Sequence, residues 1–558
     1  MKHNKSLIHY IAAGSCMALA ATICLSATAR KAPSQADYII APEQKLRLAE
    51  RIIETYYVDT LDIDKTVEAG IISMLKTLDP HSTYSDAKET RELTEPLDGE
   101  FSGVGIQFNM LNDTLFVVNP IVGGPSEKVG IVAGDRIIWA DDSLMSGAGK
   151  STSDVRRILR GPKGTPVKMR IKRRNNKNLI DFRVVRDEIP IYSVDAGYMA
   201  APEVGYIRIT RFAESTPGEV AKALAALSKA GMKKLIIDLE SNGGGYMHAA
   251  TELMKMFLPK GAGIVYTKGL RSPETHIHAD GTGRYHDVDV VVLVDQNSAS
   301  ASEIVAGAFQ DNDRGVVVGR RTFGKGLVQR PFPFPDGSMI RLTTSRYYTP
   351  SGRSIQKPYD KGEDDYRLDI YRRMKSGELT ADSIATSHDG MEVYHTVGGR
   401  EVYGGGGITP DVNVPIDTTF FTDYYRDLLA KGVINRFVLD YLDRNRTTLL
   451  ASYPSEELFI ERFEVSPDIL SDLRRMAEAD SIPYDSIQQE LSHERLVANL
   501  KGLIGRNLYN DTTFYKILNP LNPSFRRALD LLNDRKAYQS ILRAGGYCKT
   551  SIGASAGR

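Results

Sequence analysis

The sequence predicts a multidomain protein: a small β-rich domain, then an α/β domain with a mostly parallel sheet, with helical regions at both ends. Apolar strands alternate with amphipathic helices from residue 204 to residue 350, a pattern typical of β-α-β units. Short β-rich runs punctuated by Gly, Pro and Asn fill residues 100–186, as expected for a compact β domain. A chain of 558 residues is long enough for several such domains.

The composition excludes some classes of function. Hydrophobic residues make up 42% of the chain and charged residues 25%, which is the usual balance of a globular protein. The formal net charge is +1, from 71 basic and 70 acidic residues. Because the chain has no basic surplus, we expect no nucleic-acid partner.

The N-terminus has the pattern of a secretory signal peptide. Lys2 and Lys5 precede an uncharged apolar stretch over residues 11–29, which ends in the cleavage pattern Ala27-Thr28-Ala29. We therefore predict a signal peptide at residues 1–29 and an exported, periplasmic protein. The alternative is an uncleaved anchor that keeps the protein on the periplasmic side of the membrane.

From the cysteine usage we expect no intramolecular disulfide in the exported chain. Two of the three cysteines lie in the signal segment, so only Cys548 remains after cleavage. The predicted stability comes from apolar burial, which a chain of this size can supply.

Changes in residue pattern predict the domain boundaries. Apolar residues recur at helical spacing before residue 97 and again after residue 420, and a polar, charge-rich stretch interrupts the α/β region. The predicted parts are a helical segment at 38–97, the β-rich domain at 98–186, the α/β core at 187–415 with an insert at 357–401, a helical region at 419–545 and a disordered tail at 546–558.

A candidate nucleophile follows the most apolar strand of the α/β region. Val290–Val294 is succeeded by Ser298-Ala299-Ser300-Ala301 and then by a helix. Small neighbours keep the Ser300 hydroxyl accessible, and the electropositive helix N-terminus offers free N–H groups to an oxyanion. For a lone serine, plain helix capping is the competing interpretation.

A candidate general base lies 25 positions further on. In Thr322–Gly326 the sequence places Lys325 between two glycines and close to Phe323. An apolar environment lowers the pKa of a lysine, and a neutral lysine can take a proton from serine. Gln329 is uncharged and could position the amine. A surface lysine in a hairpin is the alternative.

A glycine-rich loop supplies a third component. Asp238–Gly245 contains three consecutive glycines between a buried strand and a helix. Their backbone N–H groups can face a developing negative charge. A triple glycine alone is a weak signal.

Together these motifs resemble the C-terminal processing peptidases, or tail-specific proteases, a family of serine–lysine peptidases with a PDZ domain. The spacing from Ser300 to Lys325 and from Ser300 to Asp311 matches that family, whereas Glu240 stands where an arginine is common. The matching stretches are Ser298–Glu303, Asp311, Thr322–Gly326, Gln329, Asp238–Gly245, Arg346–Gln356 and Gly407–Asp411.

The resemblance implies an α/β core of the crotonase/ClpP-like kind and assigns roles to the site residues. Ser300 is then the nucleophile, Lys325 the general base and Gln329 the residue that holds Lys325. The implied oxyanion-hole residues are Ala301 and either Gly243 or Gly244. Asp311 is expected to be structural.

Upstream motifs resemble the family's helical lead-in and its PDZ domain. Leu78–Ser82 matches the lead-in. The loop expected to bind the C-terminal carboxylate of a peptide consists of Gly103, Val104, Gly105 and Ile106. Arg160 lies where the PDZ domain could face the core, so a bound peptide could bring Arg160 against the Gln329 region and align Lys325. The alternative is that Arg160 caps its own helix.

The expected partners are proteins or peptides with unstructured, apolar C-termini, and the resemblance implies no cofactor. A homo-oligomer is one option, and the sequence identifies no adaptor. His276 and His278 have no carboxylate or thiolate at ligand spacing, so we expect no metal site. Residues 319–325 resemble a phosphate-binding loop but continue with Gly326, so we expect no nucleotide.

Three alternatives stay open at this point. His248 or His286 could assist the site. A non-catalytic PDZ peptide-binding scaffold could have the same architecture, although it would not need all of Ser300, Lys325 and Gln329. A crotonase-like acyl-transfer enzyme could use the glycine loop for a thioester, although the PDZ domain argues against it.

Overall fold

The computed structural model describes residues 40–543 except 112, 175 and 382–390. The predicted signal peptide at 1–29, Cys548 and the predicted tail at 546–558 therefore lie outside the described residues. Among the helices of the described part, none combines the length and the apolar character needed to cross a membrane.

The chain divides into two compact units, one ending at Met74 and the other beginning at Leu75. The first contains two predicted helices, α1 (Pro42–Tyr56) and most of α2 (Ile63–Lys76). No side chain of α1 is buried, and Leu46, Ile52 and Ile53 are exposed.

The second unit begins with a short segment that leads into the predicted PDZ domain. Strand β1 (Thr83–Ser85) is followed by helix α3 (Ala87–Asp98). Asp86 fixes the start of α3, because its carboxylate accepts the N–H groups of Lys88 and Glu89 while Glu89 returns a bond to the Asp86 N–H.

The β-rich domain contains a six-stranded antiparallel sheet in the order β3-β4-β5-β7-β8, with β6 beside β5 and a separate β2–β9 pair. Its buried core includes Leu115, Ile137 and Met169. The elements are β2 (Glu100–Gly103), β3 (Ile106–Leu111), β4 (Thr114–Pro120), α4 (Pro125–Lys128), β5 (Arg136–Ala140), β6 (Ser143–Leu144), α5 (Thr152–Leu159), β7 (Pro166–Lys172), β8 (Ile180–Val185) and β9 (Asp187–Pro190).

The α/β region forms the predicted layered core. Its elements are β10 (Val194–Ala201), β11 (Val204–Ile209), α6 (Thr216–Lys229), β12 (Lys234–Asp238), α7 (Met247–Lys255), β13 (Gly263–Gly269), β14 (Ser272–His278), β15 (Asp289–Val294), α8 (Ala301–Asp311), β16 (Gly315–Gly319), β17 (Leu327–Pro333), β18 (Met339–Tyr348), α9 (Glu363–Arg367), α10 (Asp369–Lys375), β19 (Val393–His395), β20 (Glu401–Tyr403) and β21 (Val412–Asn413).

Two sheets organise this core. The main sheet has the order β10-β11-β12-β15-β16-β21, and all of its pairings are parallel except β10–β11. The second sheet has the order β1-β18-β13-β14, with β17 also on β18, and is antiparallel. Helices α6, α7 and α8 cover one face of the main sheet and enclose the largest apolar core.

The C-terminal region is helical, as predicted. Its elements are α11 (Asp423–Ala430), α12 (Val433–Ser452), α13 (Glu456–Arg462), α14 (Pro467–Ala479), α15 (Ser486–Leu508), α16 (Asp511–Leu518), a 3₁₀ turn (Asn519–Leu521), α17 (Pro523–Asn533) and α18 (Arg535–Arg543). The first five helices share an apolar core of their own.

The last two helices belong to the α/β layer structure. Phe525 and Leu532 of α17 and Tyr538 of α18 pack with Tyr206 and Val291 of the main sheet. They cover the face opposite α6, α7 and α8, so the core extends beyond residue 415. An ion pair of 2.7 Å between Arg136 of β5 and Asp443 of α12 also joins the β-rich domain to the C-terminal helices.

Candidate active site

Ser300 lies between the end of β15 and the first turn of α8. Its backbone adopts φ +56° and ψ −113°, an uncommon conformation for a residue with a side chain and one that often marks a functional position. Every residue of α8 is buried. The helix N-terminus therefore points its positive dipole end at the serine from a rigid support.

The glycine loop packs directly against Ser300. A side chain at Gly244 would come within 2.8 Å of Ser300 Cβ and 2.7 Å of Ala299 O, and its φ of +99° also suits glycine. Asn242 joins the two segments, because its carbonyl accepts the Ala299 N–H at 3.0 Å and its Oδ1 accepts the Gly244 N–H at 2.8 Å.

Backbone donors of the glycine loop and of the helix start stay available beside the serine. Within the part of the chain that the structure describes, the N–H groups of Gly243 and Ala301 have no hydrogen-bond acceptor. The Gly244 N–H is already bound to Asn242. Of the two glycines predicted for the oxyanion hole, the geometry thus favours Gly243.

Lys325 lines the same cavity as Ser300. This cavity has a volume of about 400 Å³, and its wall includes the glycine loop, Lys325 and Gln329. Burial lowers the pKa of the Lys325 ammonium to about 8, and the positive charge of Arg341 acts in the same direction. With this pKa about a tenth of Lys325 is neutral at pH 7 and able to accept a proton, and the neutral fraction grows as the pH rises.

One buried carboxylate holds both segments of the site. Glu303 Oε2 accepts the backbone N–H groups of Ser300 at 2.8 Å and Lys325 at 2.9 Å. Its Oε1 accepts the Thr322 hydroxyl at 2.6 Å and the Gly324 N–H at 2.8 Å. Burial raises the pKa of Glu303 to about 7. Glu303 fixes the lysine-bearing loop to the start of the serine-bearing helix.

Tyr347 of β18 provides a second link between these segments. Its hydroxyl lies 2.6 Å from the Lys325 carbonyl and 3.1 Å from the Ser300 carbonyl. The ring is buried and lines the cavity. Phe323, which we expected beside the Lys325 amine, instead contacts the Lys357 ammonium at 3.7 Å from the ring centre.

Gln329 lines the cavity but makes a different contact from the predicted one. It lies on β17, where its Nε2 donates to the Thr343 hydroxyl of β18 at 3.1 Å. Among the described residues, no hydrogen bond joins Gln329 to Lys325. In this structure Gln329 lines the same cavity as Lys325 and is hydrogen-bonded to Thr343.

The predicted carboxylate loop borders a groove on the β-rich domain. Val104, Gly105 and Ile106 line a cavity of about 290 Å³ between β3 and helix α5, while Gly103 lies outside its wall. Phe101, Phe108 and Leu159 make it largely apolar, and Arg156 and Arg160 add positive charge. The groove has the shape and charge to accept an apolar chain end with a carboxylate.

Arg160 is the C-terminal cap residue of helix α5, as the alternative interpretation expects, and its N–H donates to the Arg156 carbonyl at 2.9 Å. Its guanidinium pairs with Glu95 of α3 and lies 4.4 Å from the centre of the Phe101 ring. Leu93 and Leu97 of the same helix line the active-site cavity. In this structure Arg160 therefore contacts a helix that lines the cavity.

The other candidates stay outside the cavity. His248 pairs with Glu214 at 2.6 Å, and His286 lies 3.3 Å from the Phe257 carbonyl. Asp311 is fully buried against Arg353 at 2.7 Å, which is a structural arrangement. Over the described ranges, no three His, Cys, Asp or Glu side chains are grouped to hold a metal ion.

Sequence reasoning missed three residues of this site. Glu303 entered only as part of the serine motif, and its bonds to Gly324 and Lys325 depend on the fold. Arg341 of β18 lines the cavity, and Asp79 raises the pKa of Lys325 by its charge. The sequence did contain a signal for Asp79, because this residue belongs to the stretch Leu78–Ser82 that matches the family.

Comparison with known proteins assigns these parts to families. The profile of peptidase family S41 matches residues 203–365, and that of the PDZ domain matches residues 102–185. A family of unknown function matches residues 424–510.

The chain is similar to curated proteases and to solved structures. A carboxy-terminal-processing protease of Bartonella bacilliformis is 38% identical over 309 residues, which cover 54% of this chain and 70% of the relative. Carboxy-terminal processing protease CtpB of Bacillus subtilis is 36% identical over 316 residues, or 56% of this chain and 65% of the relative. The structure of a photosystem II D1 C-terminal processing protease is 29% identical, covers 57% of this chain and 91% of its own, and has a TM-score of 0.33.

The chain therefore belongs to the carboxy-terminal processing proteases of peptidase family S41, which are serine peptidases. The predicted family and fold class, a peptidase core with a PDZ domain, are confirmed.

Proposed function

We propose that this protein is an exported endopeptidase that recognises protein C-termini through its PDZ domain and cleaves peptide bonds with a Ser300–Lys325 dyad. The observation that carries the proposal is the shared cavity. Ser300 and Lys325 line it together, Glu303 binds the backbone of both, and the pKa of Lys325 is lowered to about 8.

The chemistry follows from these positions. Neutral Lys325 takes the proton of the Ser300 hydroxyl as the oxygen attacks the scissile carbonyl. The N–H groups of Gly243 and Ala301 donate to the oxyanion that forms. When the C–N bond breaks, Lys325 gives its proton to the leaving amine. Water then hydrolyses the acyl-enzyme, with Lys325 again acting as the base.

Gln329 is proposed to position Lys325 once a substrate is bound. Its Nε2 is engaged by Thr343, so its carbonyl oxygen is the group that could accept a bond from the lysine. An uncharged acceptor orients an ammonium with a smaller increase in its pKa than a carboxylate would cause.

The cavity also indicates the substrate class. Most of its lining side chains are apolar, among them Leu97, Met247, Ile304, Leu327 and Met339. An unfolded, apolar chain could bury its side chains here, whereas a folded surface could not enter. Together with the predicted signal peptide at 1–29, this favours periplasmic or envelope proteins with unstructured, apolar C-termini.

The proposed function is tested by incubating the full chain with an unfolded protein that has an apolar C-terminus and identifying fragments by mass spectrometry. Peptide fragments are expected from the wild type and not from Ser300→Ala. Intact substrate that stays bound to the groove would favour the peptide-binding scaffold instead. N-terminal sequencing of the exported protein, expected to start at Arg30, tests the predicted cleavage.

The PDZ groove is expected to make cleavage depend on a free C-terminal carboxylate. Amidation removes the charge that the loop N–H groups and Arg156 and Arg160 favour, so kcat/KM should fall about 10-fold. Gly105→Ala should abolish this preference, because the new methyl would meet Ile189 Cδ1 at 2.9 Å and Pro125 Cδ at 3.0 Å at a φ of +73°.

The matched control for this variant is Gly123→Ala. Gly123 also has a φ of +73°, but open space surrounds its Cα hydrogen, so the backbone strain is similar and the loop is not obstructed. If the wild type cleaved substrates with free and amidated C-termini equally well, this would contradict the proposed recognition of the C-terminal carboxylate.

Gating by Arg160 stays a prediction, and the structure suggests a route for it through Glu95 and α3. If a bound peptide acts through this pair, a non-cleavable apolar C-terminal peptide should stimulate cleavage of a second peptide in the wild type and not in Arg160→Ala. If the added peptide only competes in both proteins, the PDZ domain recruits substrate and does not gate.

A further inference from the structure

The turn after α2 is bonded to the active-site strands. Asp79 Oδ1 accepts the N–H groups of His81 at 2.8 Å and Ser82 at 2.9 Å, and its Oδ2 accepts the Ser82 hydroxyl at 2.6 Å. The Thr343 hydroxyl of β18 also donates to Oδ1 at 3.0 Å. The carboxylate therefore organises its own turn and one residue of the hairpin that carries Gln329.

This contact continues to Gln329. Gln329 Nε2 donates to the Thr343 hydroxyl at 3.1 Å, and the Thr343 N–H donates to the Ser82 hydroxyl at 3.1 Å. Gln329 and Thr343 are cross-strand partners next to an irregularity in the β17–β18 register, which re-aims side chains. Asp79 thus fixes Gln329 through a single intervening residue.

Charge couples Asp79 to Lys325 as well. The charged groups that act on Lys325 are Arg341 of β18, which lowers its pKa, and Glu303 of α8 and Asp79, which raise it. Of the two carboxylates, Glu303 on α8 binds the Lys325 backbone, whereas Asp79 lies in the turn after α2 and binds Thr343 of the hairpin that carries Gln329.

His81 adds no charge to this network at the pH where the base acts. Its Nε2 lies 2.8 Å from the Tyr366 hydroxyl, and the two rings meet edge to face. Burial lowers the pKa of His81 to about 4, and the positive charge of Lys325 contributes. Lys357 and Arg341 lower it further, whereas Asp79 opposes them.

We propose that Asp79 is a positioning residue for the reaction, which orients Gln329 through Thr343 and stabilises the ammonium that Lys325 becomes after it takes the serine proton. This inference rests on the proposed role of Lys325 as the base. The proposal gives the turn at residues 79–82 a function in catalysis. This function is not evident from the sequence, because the turn lies more than 200 residues before the proposed nucleophile.

Asp79→Asn tests both effects, because asparagine keeps the shape and one acceptor oxygen but removes the charge. We expect kcat for peptide cleavage to fall about 10-fold with little change in KM. The midpoint of the pH profile should move to lower pH, because loss of a nearby negative charge favours the neutral amine. Thr343→Val, which breaks the link to Gln329 and keeps the charge, should lower kcat without moving the midpoint.

The control is Asp336→Asn, which removes a carboxylate from the same hairpin. Within the described part of the chain, Asp336 makes its side-chain hydrogen bonds to Ser338 alone. This variant should leave both kcat and the midpoint unchanged. Thermal unfolding of each variant reports the folded fraction.

A folded Asp79→Asn with a wild-type kcat and midpoint would overturn the proposal, as would a loss of activity that only follows the loss of folded protein. If Asp79→Asn does not fold, Thr343→Val decides, and wild-type activity in that variant would overturn the positioning role. Activity in Lys325→Ala would instead contradict the proposed function itself, so the two failures can be distinguished.

Discussion

Replacing Ser300 with alanine is expected to lower kcat for peptide cleavage by at least about 10⁴-fold while the protein stays folded. Lys325→Ala should have an effect of similar size, because the two residues act as a unit. Lys325→Arg should fail too, since a guanidinium keeps its charge and cannot accept the serine proton. Cleavage assays with thermal unfolding as the folding control measure this.

Lys325→Met is the matched partner for the arginine variant. It has a similar length but is neutral and has no basic group, so Arg and Met should be equally inactive for different reasons. Full activity in Lys325→Arg would exclude a lysine base.

Glu303→Gln is expected to have the second largest effect, about a 10²-fold loss of kcat/KM. The carboxylate accepts four hydrogen bonds, two on each oxygen, whereas an amide would turn an NH₂ group towards two of those donors. Each buried donor left without a partner costs about 1–3 kcal/mol, so the melting temperature should also fall.

Asp311→Asn is the control for Glu303→Gln. Asp311 is a buried carboxylate on the same helix, but it binds Arg353 and the Ser351 N–H, away from the cavity. It should destabilise the protein and leave the activity of the folded fraction nearly unchanged. If the two variants lost activity in equal proportion to their lost stability, Glu303 would be structural only.

Much of the fold could be predicted where local pattern and tertiary environment agree. The residue pattern predicts a helix at Thr152–Leu159 and strands at Arg136–Ala140 and Val204–Ile209, and α5, β5 and β11 have these bounds. Strands predicted at Val288–Val294 and Val316–Gly319 differ from β15 and β16 by one residue at their starts. Buried parallel strands appear in a sequence as continuous apolar runs, since both faces are covered.

Two of the missed strands, β14 and β17, lie at the margins of the second sheet. β14 exposes nearly all of its residues, and β17 is buried only at its start. Edge strands of this kind show no clear alternation of apolar and polar residues, so their pairing is set by the strand beside them and not by their own sequence.

The role of the last helices could not be read from the sequence either. Helix α17 has an amphipathic pattern that predicts a helix with one buried face. The pattern does not specify the partner, which is the main sheet in this structure.

The proposed catalytic pair, Ser300 and Lys325, could be predicted from the sequence because small residues, glycines and fixed spacing surround it. The supporting residues could not. Ser300 and Glu303 have the spacing of an ordinary capping box, so the glutamate has a sufficient local explanation. The bond of Glu303 to Lys325 joins residues 22 positions apart, and the bond from Thr343 to Asp79 joins residues 264 positions apart. Only the fold brings these residues together.

The most direct test of the dyad is the pH dependence of kcat/KM for a peptide without titrating side chains. Lys325 must be neutral to act as a base, and its pKa is about 8. Below this value activity should rise about tenfold per pH unit, and above it activity should level off. His81 cannot cause this rise, because its pKa is about 4. If the ionisation of Glu303 controlled the rate instead, the midpoint would lie near its pKa of about 7, below that of Lys325. A single rise centred near pH 8 is the predicted result; a profile that peaks in acid or stays flat through neutral pH would contradict Lys325 as the general base.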